Sequence, residues 1–598
     1  MKHFEKRFAV VLLAALAGSL SVGSCVQGDL DGVREVRLTT PAEDWREQII
    51  YQLLTDRFAN GDAVVGRRVA PGALARYQGG DWQGIVDHLD YLEELGVTAL
   101  WISPIVLNVD HDAGVDAYHG YWAVDLERLN PHFGDLASLR GFVNAAHERG
   151  MLVVLDIVTN HMGQVFYYDI NGNGQPDDNV IGSGTRSPLT RVTEYDPDFD
   201  PRGIQGFTSL GESGPAPIRF FDMPEIFRVL PNPAVFADPT AYNRRGRITD
   251  YNIPEQVVLG DFPGGLKDLD TTRQDVRDAM VESYVRWILL TDIDGFRIDT
   301  LKHVEQEFWQ DFSPRVREQL AAAGKTNFLM FGEAFDGNDE LIGSFTQEDE
   351  LDSVFYFSQK FQVFDDVFLR GGPTSKIDEL FAQRAAHYGT APQPGGIGVA
   401  PRDALVNFMD NHDVPRFLYE RPDPDGPRAL RAALAYLLTE DGIPCIYYGT
   451  EQDFAGGNDP MNREPLWWSG YRTDGETFQW IARLTRIRRG YDALTRGDFE
   501  LRWTSAHVGD ESDAGVVAFE RELDDRYALV VINAHPRDDR VTAFESTTMT
   551  IGRPAGSTLV DVLTGDTFTV EAGGALRVEV DAYATRILVP DDQVIAEL

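Results

Sequence analysis

Short apolar runs of β character alternate with helical patterns along most of the chain. The runs fall at 49–53, 97–102, 152–158, 293–298, 328–331, 353–356, 405–408 and 444–447. Between them lie stretches with apolar residues at helical spacing, such as Ile85, Leu89, Leu92 and Leu95, and a pattern that predicts a helix over 136–149. Eight such βα-like units predict an α/β fold, a closed parallel (β/α)8 TIM barrel. Residues 162–268 interrupt the alternation. They are rich in Gly, Pro, Asp and Asn and lack regular periodicity, as expected of a functional insert on a barrel's upper face, after the third strand. From about Gly497 short alternating runs separated by turn signals predict a C-terminal all-β sandwich domain. The predicted units are a signal peptide over 1–25, a polar tether over 26–47, barrel over 48–161, insert over 162–268, barrel over 269–496 and the β domain over 497–598.

The N-terminus changes this picture by adding export. Lys2, Lys6 and Arg7 precede a short apolar run from Phe8 to Val22, too short for a membrane span of about 20 residues but suited to a signal peptide. It ends in Val22-Gly23-Ser24-Cys25, similar to a bacterial lipobox with Cys25 as the lipidated residue. Val26 after it leans towards an outer-membrane or cell-surface lipoprotein; plain cleavage would leave a periplasmic or secreted protein. The other cysteine, Cys445, lies in an apolar run and is expected to be a buried core residue. With 43% apolar and 25% charged residues the chain is globular rather than mainly disordered. Its 54 Lys and Arg stand against 95 Asp and Glu, a formal net charge of −41. That balance argues against nucleic acid and suits a neutral substrate.

Candidate chemistry sits where the apolar runs end, the position at which barrel enzymes carry their reactive groups. One run ends in Asp156-Ile157-Val158-Thr159-Asn160-His161 and another in Arg297-Ile298-Asp299-Thr300-Leu301-Lys302-His303. Two more end in Glu333-Ala334-Phe335 and in Asp410-Asn411-His412-Asp413. A single Asp after a strand is usually a helix cap; four strand ends with carboxylates beside His, Arg or Asn are not four caps.

Together these segments resemble the four signature regions of the α-amylase family, glycoside hydrolase family 13. Further stretches agree: Gly79-Gly80-Asp81-Trp82-Gln83-Gly84-Ile85, the platform loop Asp116-Ala117-Tyr118-His119-Gly120-Tyr121-Trp122, Leu266-Lys267-Asp268-Leu269-Asp270, and Asp459-Pro460-Met461-Asn462-Arg463. The resemblance spans about 48–598 and implies the same three-part fold. It implies hydrolysis or transfer at α-glucosidic bonds with retention, which takes a nucleophile and an acid/base about 5–5.5 Å apart. By that resemblance Asp299 is the nucleophile, Glu333 the acid/base with a raised pKa, and Asp413 the carboxylate that stabilises the transition state. Arg297 is expected to keep Asp299 ionised. His161, His412 and Tyr121 would hold the reacting sugar, with His119, Asp116 and Arg463 near them. The pair Lys302 and His303 resembles that of enzymes acting on α-1,4 glucan chains.

The resemblance also implies calcium, with Asn160, Asp268 and the His303 carbonyl as ligands. Lys267 and Asp270 depart from the common form of that segment, where Pro and Asn are frequent. A second calcium loop is suggested by Asp169, Asn171, Asn173 and Asp177, whose opening spacing matches a calcium loop although Val180 replaces the usual Glu. Asp56, Asn60 and Asp62 form a third candidate. The expected activity is internal cleavage of starch, glycogen or maltodextrins. A cyclomaltodextrinase or neopullulanase, or a 4-α-glucanotransferase, would share the same catalytic residues. A non-catalytic surface glucan-binding protein is the reading from another class, and it would need a missing nucleophile or acid. Oligomeric state is not legible in the sequence.

Overall fold

The computed structural model describes residues 32–596, apart from 67, 170–177, 182–184, 189–216, 263, 348 and 538–539. The signal peptide, Cys25, Asn171, Asn173 and Asp177 therefore lie outside the described residues.

Eight parallel strands form the core: β1 (Ile50–Leu53), β2 (Ala99–Ile102), β3 (Leu152–Ile157), β4 (Gly295–Ile298), β5 (Leu329–Gly332), β6 (Ser353–Val354), β7 (Val406–Asn407) and β8 (Ile443–Tyr447). Their order in the sheet is β6-β5-β4-β3-β2-β1-β8-β7. A parallel bridge from Phe355 to Val406 joins the two ends and closes the barrel. Every residue of these strands is buried, which is why they read as unbroken apolar runs rather than alternating ones.

The outer helices are α1 (Trp82–Asp87), α2 (Leu89–Leu95), α3 (Leu136–Glu148), α4 (Gln274–Thr291), α5 (Gln306–Ala322), α6 (Asp339–Ser344), α7 (Ser375–His387), α8 (Gly426–Thr439) and α9 (Glu476–Gly490). Helix α3 shows how local chemistry sets a boundary. The Asp135 side chain accepts from Ser138 N at 2.9 Å and the Ser138 hydroxyl receives the Asp135 N–H, a reciprocal cap. Leu139, Phe142, Val143 and Ala146 then bury one face. The single helix suggested by Ile85 to Leu95 is instead two. His88 leaves helical geometry (φ −123°, ψ 18°), its Nδ1 lies 2.9 Å from the Gly84 carbonyl and its ring packs 3.9 Å from that of Tyr471. Gly96 at φ 85° ends α2, in a left-handed turn that a β-carbon would strain.

The stretch 158–268 is built, where described, from short ladders. His161–Met162 pairs with Lys267–Asp268, and Phe166–Tyr168 with Ile218–Phe220. A second excursion leaves β2, where Val106–Asn108 pairs with Ala123–Leu129 and His111–Asp112 with Val115–Asp116. The two excursions meet through Arg228 and Asp112, 2.7 Å apart.

From Val33 onward the polar N-terminal segment lies on the barrel. Arg286 and Arg140 donate to the Val33 and Arg34 carbonyls, Val36 N donates to the Leu289 carbonyl, and Trp45 is fully buried. Beneath β4, Thr39 and His147 join the buried Asp292, Asp294 and Lys325 in one cluster. Burial of Trp45 and this cluster hold most of the predicted tether against the domain.

The C-terminal domain carries β9 (Asp498–Trp503), β10 (Val516–Leu523), β11 (Arg526–Asn533), β12 (Thr558–Asp561), β13 (Thr567–Thr569) and β14 (Thr585–Pro590), in the order β9-β10-β11-β14-β12-β13. Alternation divides its side chains between two cores. Val517, Phe519, Val530 and Ile532 join the barrel's core, while Val516, Ala518, Leu529 and Val531 pack with Met549, Ile551 and Val578 from the outer layer. Cys445 is buried in β8.

Candidate active site

The upper ends of β2 to β5, β7 and β8 surround a cleft of about 680 Å³, within the range of small-molecule binding sites. Parallel register sets its centre. Arg297 in β4 pairs across the ladder with Asp156 in β3. Asp299 follows β4 and its N–H donates to the Ile157 carbonyl; Glu333 follows β5 and its N–H donates to the Ile298 carbonyl. The Arg297 guanidinium is completely buried and reaches three carboxylates. Its Nη1 lies 2.9 Å from Asp299 Oδ1 and 2.9 Å from Asp156 Oδ1, and its Nη2 lies 2.7 Å from Glu333 Oε2. Trp101 Nε1 and the Tyr121 hydroxyl donate to the remaining Asp156 oxygen at 3.1 and 2.8 Å.

One cation among three buried carboxylates leaves excess negative charge. Burial raises the pKa of Asp299; Arg297 opposes this, and Asp156 and Asp413 add to it. Burial raises Glu333 further, again against Arg297, with the charges of Asp299 and Asp413 adding. Arg297 lowers the pKa of Asp299, as expected of it, while desolvation outweighs the arginine. Between the two, Glu333 holds a proton the more firmly.

Asp413 is different. Its side chain is 36% exposed against 10% for Asp299 and 7% for Glu333, so it faces the open cleft. His412 Nε2 lies 3.1 Å from Asp413 Oδ2, and Arg463 Nη2 3.2 Å from Asp413 Oδ1. Arg463 also donates to the His412 carbonyl and the Tyr118 hydroxyl. The Tyr121 ring lies between His412 and His119, nearly parallel to both at 5.4 and 5.6 Å. His161 Nε2 is 3.2 Å from the Tyr121 carbonyl, and its ring stacks on Phe262 at 5.7 Å. Burial lowers the pKa of His161 to about 3 and of His303 to about 4, and holds His119 and His412 well below the usual value. All four are neutral hydrogen-bonding groups at neutral pH.

Lys302 lines the cleft while donating to the Phe335 carbonyl at 2.6 Å and pairing with Asp336 at 3.2 Å. His303 also lines it, with Nδ1 2.9 Å from the Val257 carbonyl. Asp116 does not belong to this group. It is buried outside the cleft lining, between Arg76 at 2.7 Å and His111 at 2.6 Å, because the β2 excursion folds it back as a hairpin anchor.

The Asn160 amide faces the His303 carbonyl at 2.8 Å and Asp268 Oδ1 at 3.3 Å. With its NH2 on that side the amide donates to both; with its oxygen there, the three oxygens make a ligand set for a hard cation. Asp268 is buried and raised well above the usual carboxylate range, with Asp261, Glu305 and Asp270 adding negative charge nearby. Asp169 is also buried, 3.1 Å from Arg219. The Asp56, Asn60 and Asp62 trio does not converge as a cation site. Asp56 is engaged by Arg57 and by the amides of Gln78 and Gly79, and Asp62 Oδ1 caps Val64 N.

Asp156, Trp101 and Gln52 were given no role from the sequence. Asp156 stands at a strand end, a visible signal, but only the register shows that it shares Arg297 with Asp299. Gln52 is the lone amide in an apolar strand, and its Nε2 lies 2.6 Å from His412 Nδ1.

Residues 52–180 and 250–488 match the family described as alpha amylase, catalytic domain. The chain is 31% identical to an uncharacterized glycosyl hydrolase of Schizosaccharomyces pombe, over 91% of this chain and 93% of that one. It is 29% identical to alpha-amylase 2 of Schwanniomyces occidentalis, over 92% of each. The solved structure of an Anoxybacillus alpha-amylase superposes with a TM-score of 0.69 at 25% identity, over 92% of this chain and 99% of that one. A match over more than half the chain, on an eight-stranded parallel barrel, shows that this protein belongs to the alpha-amylase family and is a glycoside hydrolase of that type.

Proposed function

We propose that the protein hydrolyses internal α-1,4-glucosidic bonds of starch, glycogen or maltodextrins with retention, through a covalent glycosyl-enzyme. The observation that carries this reading is the single guanidinium of Arg297 joined to both Asp299 and Glu333 beneath the cleft. Asp299 attacks the anomeric carbon as the bond to the departing glycosidic oxygen breaks, and Glu333 gives its proton to that oxygen. A β-glycosyl ester results. Glu333, now a carboxylate, takes a proton from water; the water attacks the same carbon and Asp299 departs. Positive charge developing on the ring is met by the negative cluster, with Asp413 open to the sugar's hydroxyls and Tyr121 as the platform beneath it. Neutral His161 and His412 hydrogen-bond the sugar without adding charge.

Calcium fits the neighbouring Asn160 amide, Asp268 carboxylate and His303 carbonyl, which offer hard oxygen ligands of the kind it takes. Bound there it would tie the insert to the β4 loop as a structural ion. Among the described residues no cluster of three His, Cys, Asp or Glu side chains is arranged for a metal, so this site would rest on an amide, a carboxylate and a carbonyl. Export with a lipid on Cys25 is part of the same proposal; mass spectrometry of the native N-terminus tests it, and an unmodified peptide contradicts it.

The substrate reading is tested by incubating the protein, from residue 26 onward, with soluble starch, pullulan and a cyclodextrin in calcium buffer. Rapid internal cutting of starch is the expected result. Preference for pullulan or cyclodextrin, or longer transfer products, would move the specificity to the sister activities, and no reaction on any of them would overturn the proposal.

A further inference from the structure

We infer that Gln52 is a positioning residue for the reaction: from the end of β1 it fixes which nitrogen of His412 carries the proton. This rests on the reading of His412 and Asp413 as the pair that grips the reacting sugar.

The direction of each hydrogen bond follows from its neighbours. Tyr121 donates its proton to Asp156, which is a carboxylate held by Arg297. The Tyr121 oxygen can then only accept at its 2.9 Å contact with His412 Nε2. Asp413 Oδ2, 3.1 Å from the same nitrogen, adds a negative charge that favours the proton there. Nε2 must therefore carry the hydrogen. A neutral imidazole has one N–H, so Nδ1 is a lone pair that needs a donor. Among the described residues, the hydrogen-bonding group at Nδ1 is Gln52 Nε2, at 2.6 Å, on a side chain 2% exposed. An amide of the other orientation, or a carboxylate, would demand a proton on Nδ1 and reverse the imidazole.

The groups facing His412 are few. Asp413 stands on its own loop. Tyr121 and His119 come from the β2 excursion, with Asp156 and Arg297 behind them, and Arg463 comes from the loop after β8. The two arginines oppose a second proton on His412. Gln52 thus begins a directed chain of donors through His412 and Tyr121 that ends on Asp156, the carboxylate to which Arg297 also donates while it holds Asp299 and Glu333. Through Arg297 it connects β1 to β4 and β5 across the top of the barrel. Gln52 is not among the residues lining the cleft, so it acts through His412.

The test uses neutron diffraction of the whole protein and kinetics of two variants. The neutron map should show deuterium on His412 Nε2 and none on Nδ1. Gln52→Leu removes the donor and should lower kcat by about 3- to 10-fold, the range for one lost hydrogen bond, with KM changed less. Gln52→Glu should draw a second proton onto His412. Its pH profile of kcat/KM should gain an ionisation near or above the ordinary histidine value of about 6.5, absent from the wild type and from Gln52→Leu. Deuterium on Nδ1, or a Gln52→Glu profile of wild-type shape, overturns the inference. Inactivity of the wild type on starch would overturn the substrate reading and leave the neutron result standing on its own.

Discussion

The two ends of β4 carry carboxylate clusters of similar composition and opposite purpose. Below the strand, every oxygen of Asp292 and Asp294 has a donor: Lys325, His147, the Thr39 hydroxyl and the amides of Thr39 and Val153. Above it, Asp156, Asp299 and Glu333 share one guanidinium, and Asp413 stands open beside them. The lower cluster matches acids with bases and fastens the N-terminal segment to the barrel. The upper one is short of positive charge, and burial raises the pKa of its acids. A group whose charge is fully met has no reason to react. A group held against its preference can give a proton or attack a carbon. Position along a strand separates stability from chemistry in this barrel, as the fold permits.

The comparison breaks most sharply under Asp299→Asn. Turnover should fall by about 10⁴-fold or more, the scale of losing a nucleophile, while the melting temperature stays level or rises because an unfavourable charge is gone. Steady-state kinetics and calorimetry on one preparation would check both. Lys325→Met should do the reverse. It leaves Asp292 and Asp294 buried beside a single histidine, and breaking such a pair costs about 3–5 kcal/mol. Denaturant titration should show that loss, with kcat per folded molecule unchanged.

Smaller effects sharpen the contrast. Because the folded-state pKa values of Asp156, Asp299 and Glu333 are raised, the native protein holds protons that the unfolded chain has released. Their contribution to stability is present below the unfolded carboxylate values of about 4 and is lost as pH rises through the folded values. Stability measured across that window should fall less steeply in Asp299→Asn than in the wild type. Activity should be lost on the alkaline side as Glu333 gives up its proton and on the acid side as Asp299 gains one. Chelation should give the smallest effect. A chelator should lower the melting temperature of the wild type, by up to about 3 kcal/mol of stability for an ion at a hundred times its Kd, and should leave Asp268→Asn unmoved.

Most of this was legible in the sequence where chemistry and strand ends coincide. Asp299, Glu333 and Asp413 stand within five residues of the ends of apolar runs, and a buried parallel strand has no alternation to confuse its reading. The two-residue strands β6 and β7 were found for the same reason, although the runs predicted for them were longer. What escaped depends on contacts between distant segments. Asp116 lies in a motif that points to substrate, yet the hairpin 111–116 turns it onto Arg76 and His111. The shared hold of Arg297 on Asp156 comes from the β3–β4 register. The fastening of residues 33–45 needs Lys325, almost 300 positions away in the chain. Periodicity reports which face is apolar; it does not report which polar groups a closed barrel brings together.

The central claim is that Asp299 forms the covalent intermediate with Glu333 as its acid/base. It is tested most directly by trapping that intermediate with an activated, slowly hydrolysed fluoro-α-glucoside and sequencing the labelled peptide by mass spectrometry. The account predicts one glycosyl adduct, on Asp299 and lost in Asp299→Asn. An adduct on another residue, or turnover with inversion of the anomeric centre and no adduct, would contradict it.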